Sequence, residues 1–212
     1  MKLVFLGGSG GLGVTTSTFL PEFEIISVGS KIMNLESKTD VETFFAANID
    51  IDVLVVFSNY NYNSFFHKYD SSYDELSKQI DVNIKGVTHA ISCCLKNMRQ
   101  KEFGRIILAS SVTVEKNIMG TSVYAASKAF FENLVKTIAL ENGSKGITAN
   151  CIQLGYMDGG LTYTLPTEFL EKTINTIPAK RLGKPEEIAS TIKYLVSNSY
   201  VNGTTIKLTG GL

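Results

Sequence analysis

Tyr124 and Lys128 stand four residues apart in the segment Tyr124-Ala125-Ala126-Ser127-Lys128. On a helix that step puts both side chains on one face. An ammonium beside a phenol stabilises the phenolate and lowers the tyrosine pKa, so the hydroxyl can exchange a proton with an alcohol or carbonyl oxygen nearer neutral pH. Thirteen residues before Tyr124, Ser110-Ser111 closes the run Gly104-Arg105-Ile106-Ile107-Leu108-Ala109. If that run is a strand of an α/β sheet, Ser111 stands at its carboxyl end, where such sheets bind ligands. Near the N-terminus, Gly7-Gly8-Ser9-Gly10-Gly11-Leu12-Gly13 follows another apolar run. Glycine there permits unusual backbone angles and lets a phosphate approach the main chain, while Ser9 could add a hydroxyl donor. Two spacings coexist: Gly8, Gly10 and Gly13 form GxGxxG, and Gly7, Gly11 and Gly13 form GxxxGxG. Such a turn after a first strand is where a dinucleotide pyrophosphate binds.

The elements that must position these residues can be read from periodicity. Short apolar runs at Lys2–Gly7, Glu24–Val28, Asp52–Phe57, Gly104–Ala109, Ile147–Gln153 and Thr204–Leu208 read as strands, with a shorter one expected at Lys31–Leu35. Helical spacing is expected over Leu12–Leu20, over Val41–Ala47 with Thr39 and Asp40 as caps, and over Asp74–Arg99. Two further helices are expected at Val123–Glu141 and Glu187–Ser197, the latter opened by Pro185. Strand and helix alternate along the chain without a linker or repeat. That order predicts one α/β domain over residues 1–212, a doubly wound parallel sheet of about seven strands with helices on both faces.

The segments GGSGGLG at Gly7–Gly13, DVNIKG at Asp81–Gly86, GRIILASS at Gly104–Ser111 and YAASKA at Tyr124–Ala129 together resemble the short-chain dehydrogenase/reductase family. IPAKRLGKPEEIA at Ile177–Ala189 and NGTTIKLTGG at Asn202–Gly211 extend the resemblance over essentially the whole chain. It implies a Rossmann domain that transfers a hydride between a nicotinamide cofactor and a carbonyl/alcohol pair, in the reductase direction. It also implies a catalytic set of Asn83, Ser111, Tyr124 and Lys128. Tyr124 would be the general acid/base, and Ser111 would position the substrate oxygen in preference to Ser110. Lys128 would bind the nicotinamide ribose and tune Tyr124. Asn83 would hold a water leading from Lys128 to solvent. The cofactor would lie along Gly7, Ser9, Gly11, Leu12, Gly13, Ser58, Asn59, Asn83, Tyr124, Lys128, Gly155 and Met157.

The sequence also departs from the family pattern. Val56-Phe57-Ser58-Asn59 stands where members carry NNAG beside the adenosine half, and Leu154-Gly155 replaces Pro-Gly. Gly159 replaces the Thr expected four residues after that glycine. Gly29–Lys31 leaves no room for a helix, and the lid region near Gly159–Ile177 is short. Tyr156, Met157, Leu161 and Tyr163 fall where members contact substrate. No carboxylate ends the second strand, Ser27-Val28-Gly29-Ser30-Lys31, to accept from the adenosine ribose hydroxyls of NAD. Lys31 could instead pair with a 2′-phosphate, so NADP is expected over NAD.

Composition narrows the alternatives. Twenty basic and 20 acidic residues cancel, so a nucleic-acid partner is not expected. Lys96, Arg99 and Lys101 read as a solvated helix end. Cys93, Cys94 and Cys151 are odd in number and lack ligand spacing, which predicts free thiols and no metal. His67 and His89 match no catalytic position. No apolar run is long enough for a membrane span or signal core, so a cytoplasmic placement is expected. The broad apolar faces of Asp81–Arg99 and Val123–Glu141 predict a homodimer or homotetramer with a two-fold axis between them. A competing reading keeps the fold but makes the chain a non-catalytic dinucleotide-binding regulator; the complete Asn, Ser, Tyr and Lys set weighs against it. A sugar-nucleotide epimerase or dehydratase would need a larger substrate domain than 212 residues supply.

Overall fold

A computed structural model describes residues 1–212. Six strands form one fully parallel sheet in the order β2-β1-β3-β4-β5-β6. They are β1 (Lys2–Leu6), β2 (Glu24–Val28), β3 (Val53–Val56), β4 (Gly104–Ser111), β5 (Ile147–Leu154) and β6 (Thr205–Leu208). Parallel pairing requires helical crossovers, and these cover both faces, which is why β3 and β4 are buried at every position.

Alternation along each strand sorts the core into two layers. Val4, Leu6, Leu54, Val56, Ile106, Leu108 and Cys151 face one side with Val41 and Phe45 of α2 (Lys38–Ala47), Ala90 and Ile91 of α4 (Val87–Gln100), and Phe131 and Val135 of α5 (Ser122–Asn142). Leu3, Phe5, Val53, Val55, Ile107 and Ile152 face the other side with Ile188, Ile192 and Leu195 of α7 (Pro185–Ser197). The short α1 (Gly11–Ser17) packs beside α7. Burial of each large aliphatic chain in these layers contributes about 1.5–3 kcal/mol. All three cysteines are buried free thiols within the first layer.

The strand expected at Lys31–Leu35 does not form, so the sheet has six strands and ends at β2. The amides of Ile32 and Met33 both turn back to the carbonyl of Gly29, which curls the chain away from the sheet edge. The next helix is capped by Ser37, not by Thr39 or Asp40: Ser37 Oγ accepts from the Asp40 amide at 3.2 Å and donates to its carboxylate at 2.8 Å. The helix expected over Asp74–Arg99 is present as α3 (Tyr73–Ile80) and α4, joined by one wide π turn at Asp81–Gly86. Such a turn inside a long helix commonly marks a functional place, and here it carries Asn83. Gly86 lets this turn lie against the curled segment, since a Cβ there would stand 2.3 Å from the Leu35 carbonyl oxygen.

Candidate active site

The carboxyl ends of β1, β3, β4 and β5 open into a cavity of about 740 Å³. Gly7, Gly11, Leu12 and Gly13 line one end, Ser111, Tyr124 and Lys128 the middle, and Gly155 and Met157 the floor beside them. The structure thus brings the expected catalytic trio and most of the expected cofactor wall into one space.

Packing demands Gly7, Gly8 and Gly13, residues that the two glycine spacings share between them. Gly7 sits at φ +85°, where a side chain is strained, and its Cβ would stand 2.6 Å from the Ser58 amide nitrogen. A Cβ on Gly13 would come within 2.4 Å of the Gly7 carbonyl oxygen. Gly11 is exposed at the start of α1 and faces the cavity with its backbone. Gly8 is needed for the turn itself, its Cβ position being 2.8 Å from the Phe5 carbonyl. Ser9 is exposed and folds its hydroxyl against Gly29 instead of into the cavity. Lys31 is exposed beyond the cavity wall, and Ser58 is off it, with its amide bonded to the Leu6 carbonyl at 3.0 Å. Asn59 does line the wall.

Ser111 ends β4 with its hydroxyl accepting from the Thr113 amide at 3.2 Å and from Thr113 Oγ1 at 3.0 Å. It stands beside the Tyr124 phenol and acts in the direction that lowers the phenol's pKa. Ser110 lies at the cavity edge, but its hydroxyl is turned to Glu132, which leaves Ser111 as the serine beside Tyr124. Lys128 lies one turn along α5, 3% exposed, with Nζ donating to the Ala109 carbonyl at 3.0 Å. The same nitrogen is 5.6 Å from the centre of the Tyr124 ring and 4.9 Å from that of Phe131.

The electrostatics correct one expectation. Burial raises the Tyr124 pKa above its ordinary value, outweighing the opposite pull of the neighbouring Ser111 hydroxyl, and Lys128 does not lower it. Lys128 is itself desolvated: burial pushes its ammonium down to about 8, with the buried Cys151 beside it acting in the other direction. At neutral pH the lysine still carries its proton, but Nζ is held on the Ala109 carbonyl 5.6 Å from the Tyr124 ring centre, and burial is the larger influence on the phenol.

Asn83 is fully buried and is not on the cavity wall. Its carboxamide does not reach Lys128. Oδ1 accepts from the Tyr60 amide at 2.7 Å and Nδ2 donates to the Tyr60 carbonyl at 2.8 Å, a two-bond clamp on the segment leaving β3. A weaker contact of 3.5 Å runs from Nδ2 to Ser127 Oγ. Both bonds hold the side chain on the Tyr60 main chain. Its clamp orients a row in which the expected Asn59 is joined by two further asparagines. Asn59, Asn61 and Asn63 all face the cavity, while the phenol of Tyr60 between them bonds to Glu75. The alternation Asn-Tyr-Asn-Tyr-Asn was the available signal for such a one-sided extended segment.

A lid closes the far side. Gly159 and Gly160, both at positive φ, pass over Leu12; a Cβ on Gly160 would stand 3.2 Å from that of Leu12. Gly160–Thr164 then turns, tied by a Tyr163 to Asp158 hydrogen bond, and leads into α6 (Thr167–Thr176). Tyr156, Met157, Leu161 and Tyr163 all line the cavity, as do Ile118, Met119, Leu165 and Phe169, which were not anticipated. His67 and His89 are not on this wall; His89 lies 3.7 Å from the Glu42 carboxylate, between α2 and α4.

Known proteins resemble this chain. The family model described as enoyl-(acyl carrier protein) reductase matches residues 33–212. The acetoacetyl-CoA reductase of Shinella zoogloeoides is 35% identical over 164 residues, covering 76% of this chain and 67% of its own. That of Synechocystis sp. is 27% identical over 228 aligned positions, 98% of this chain and 94% of its own. Among solved structures, a small-chain dehydrogenase in complex with NADPH superposes with a TM-score of 0.88 at 22% identity, over 100% of this chain and 97% of that one. Levodione reductase gives 0.88 at 23%, over 99% and 96%. With a parallel sheet of this order, a glycine turn at Gly7–Gly13 and Ser111, Tyr124 and Lys128 on one wall, the chain belongs to the short-chain dehydrogenase/reductase family of oxidoreductases.

Proposed function

We propose that this protein is an NADPH-dependent carbonyl reductase whose proton chemistry is run by Ser111, Tyr124 and Lys128. The observation that carries the reading is the convergence of these three residues and the glycine turn on one cavity wall. The residues fit a nicotinamide dinucleotide. Gly7, Gly11 and Gly13 line the cavity without side chains, and at Gly7 and Gly13 a Cβ would strike neighbouring backbone. Lys128 has one of its three ammonium donors on Ala109, which leaves donors for ribose hydroxyls. When bound, the nicotinamide supplies the hydride.

The chain's own groups supply orientation and the proton. Ser111 and Tyr124 place two neighbouring hydroxyls on the substrate carbonyl oxygen. Polarised by both, that oxygen takes the Tyr124 proton as the carbon is reduced. The raised Tyr124 pKa keeps the phenol protonated near neutral pH, which suits the acid role and so the reductive direction. Met157 and Gly155 hold the floor, Gly155 because a Cβ there would meet the Thr209 backbone at 2.9 Å.

Support for NADP over NAD comes from the end of β2. Gly29-Ser30-Lys31 carries no carboxylate to repel a 2′-phosphate, and the exposed Lys31 ammonium is free to pair with one. A solved neighbour of the same fold is described with NADPH. For the substrate, the curated relatives named above act on acetoacetyl-CoA, and the cavity rim of Ile118, Met119, Leu161, Leu165 and Phe169 is apolar. Both support a carbonyl compound with an acyl or similar apolar arm. Leu95, Phe130 and Leu134 on α4 and α5 are only partly covered by the chain's own core, which supports self-association through these helices. No helix is long and apolar enough to cross a membrane. A cytoplasmic enzyme acting on a small molecule is the reading we favour.

The test is turnover of acetoacetyl-CoA with NADPH and with NADH, followed by nicotinamide absorbance. Reductase activity that Tyr124→Phe removes supports the assignment. A protein that binds NADPH yet reduces neither acetoacetyl-CoA nor any of a panel of ketones is the regulator alternative.

A further inference from the structure

We propose that Glu132 is a positioning residue that fixes the end of β4, and with it Ser111, relative to the helix carrying Tyr124 and Lys128. The inference rests on the assignment of those three residues as the reacting set. Glu132 lies on α5 one turn beyond Lys128. Its Oε1 accepts the Ser110 hydroxyl and, at 3.0 Å, Nε2 of Gln153. Ser110 and Gln153 are register partners on β4 and β5, so both point from the same face of the sheet toward α5. They are 3% and 1% exposed. One carboxylate oxygen therefore ties two adjacent strand ends to one helix. Ser110 Oγ also lies 3.5 Å from the Lys128 carbonyl oxygen.

The tie continues beyond the strands. The Gln153 amide reaches Glu115 Oε1 at 3.5 Å, and Glu115 pairs with Lys207 of β6 at 2.7 Å. Glu115 directly follows the turn Val112–Val114 that leaves Ser111. The segment bearing Ser111 is thus held on both sides, by Ser110 before it and Glu115 after it.

Charge makes Glu132 suited to this. A carboxylate accepting from neutral donors forms bonds roughly twice as strong as neutral pairs. An apolar residue would strand a buried hydroxyl and a buried amide. Because side chains alternate along β4, an anchored Ser110 sets the direction in which Ser111 points. Reacting groups need alignment to a fraction of an ångström, and misplacement by about 1 Å can cost about 10²-fold in rate. Glu132 touches neither substrate nor cofactor wall. Its effect therefore passes through Ser111.

The experiment compares Glu132→Leu and Glu132→Gln with wild type, using NADPH with acetoacetyl-CoA and amide exchange followed by mass spectrometry on the ligand-free protein. Glutamine keeps an acceptor oxygen for both donors and leucine keeps none. Glu132→Leu should lower kcat about 30-fold with both KM values within about twofold, and Glu132→Gln should stay within about threefold of wild type. Exchange at Ala109–Thr113 should quicken about tenfold or more in the leucine variant while β1 and β2 keep their protection. Unchanged exchange at Ala109–Thr113, a wild-type kcat, or loss of protection spread over the whole sheet would each overturn the proposal. If wild type does not reduce acetoacetyl-CoA, the functional reading fails by itself and the exchange pattern still decides the role of Glu132. If Glu132→Leu does not fold, Ser110→Ala removes one of the two donors. It should then lower kcat about tenfold at constant KM, and an unchanged kcat overturns the proposal.

Discussion

Lys128 Nζ donates to the carbonyl oxygen of Ala109 at 3.0 Å, which couples the helix carrying Tyr124 to the strand carrying Ser111 through a buried ammonium. An ammonium in that place is costly. Burial drives its pKa from 10.5 down to about 8, so the folded chain holds a charge it would rather release.

The first prediction concerns that cost. Lys128→Met should abolish turnover and yet raise stability near pH 7 by about 1–2 kcal/mol, a desolvation gain of about 2–3 kcal/mol offset by the hydrogen bond Ala109 loses. The sign with pH follows from linkage. Below about 8 the lysine is charged folded and unfolded, and the penalty is complete. Between about 8 and 10.5 the unfolded chain binds the extra proton, so wild-type stability gains on the variant as pH rises. Urea unfolding of both proteins at about pH 7 and about pH 10 measures the gap. A gap that widens with pH contradicts the assignment.

Much of this site was legible in the sequence, for reasons that particular residues make clear. Tyr124 and Lys128 were found because a four-residue step on a helix is rigid geometry, and Ser111 because it ends an apolar run. The glycine turn is legible in composition, and its two overlapping spacings each hold residues that packing requires, Gly7 in one, Gly8 in the other and Gly13 in both. The expectation of a strand at Lys31–Leu35 fails because a short run with three apolar residues says nothing about whether an edge has a partner. The direction of the Tyr124 pKa was misread because proximity to Lys128 is visible in a sequence and burial is not. Glu132 and Gln153 were missed for the same reason: they are 21 residues apart and meet only through the packing of α5 on β5.

Tyr124→Phe should lower kcat with acetoacetyl-CoA about 10³-fold or more, because the proton donor is lost, while the NADPH dissociation constant stays within about threefold. Lys128→Ala should damage both quantities, since its remaining donors serve the ribose. Equilibrium binding by NADPH fluorescence beside steady-state rates separates the two effects. A phenylalanine variant with wild-type turnover would remove Tyr124 from the mechanism.

Asn83→Ala should destabilise the fold by about 2–4 kcal/mol, because it leaves the amide and the carbonyl of Tyr60 unpaired in a buried place. Asn83→Asp keeps an acceptor for the Tyr60 amide but loses the donor to its carbonyl, so its loss should also be substantial. The damage should appear locally as faster proteolysis within Asn59–Tyr73. Melting temperature and limited digestion report it without any substrate. Equal stability of Asn83→Ala and wild type would show that the clamp is not what holds this segment.

The last prediction tests cofactor choice. Lys31 is exposed at the edge left by the missing strand, so any contact with a 2′-phosphate is made in solvent and screened by salt. An exposed charge pair of this kind is worth about 0.2–1 kcal/mol, which corresponds to no more than about fivefold in affinity. Lys31→Ala should therefore shrink the ratio of kcat/KM for NADPH over NADH by about two- to fivefold without reversing the fold or the chemistry. The wild-type ratio should itself fall as salt is raised from low to physiological ionic strength, while the mutant ratio stays flat. A wild type that prefers NADH, or a Lys31→Ala ratio with the same salt dependence as wild type, would show that discrimination lies elsewhere, with the neighbouring Ser30 hydroxyl the next residue to test.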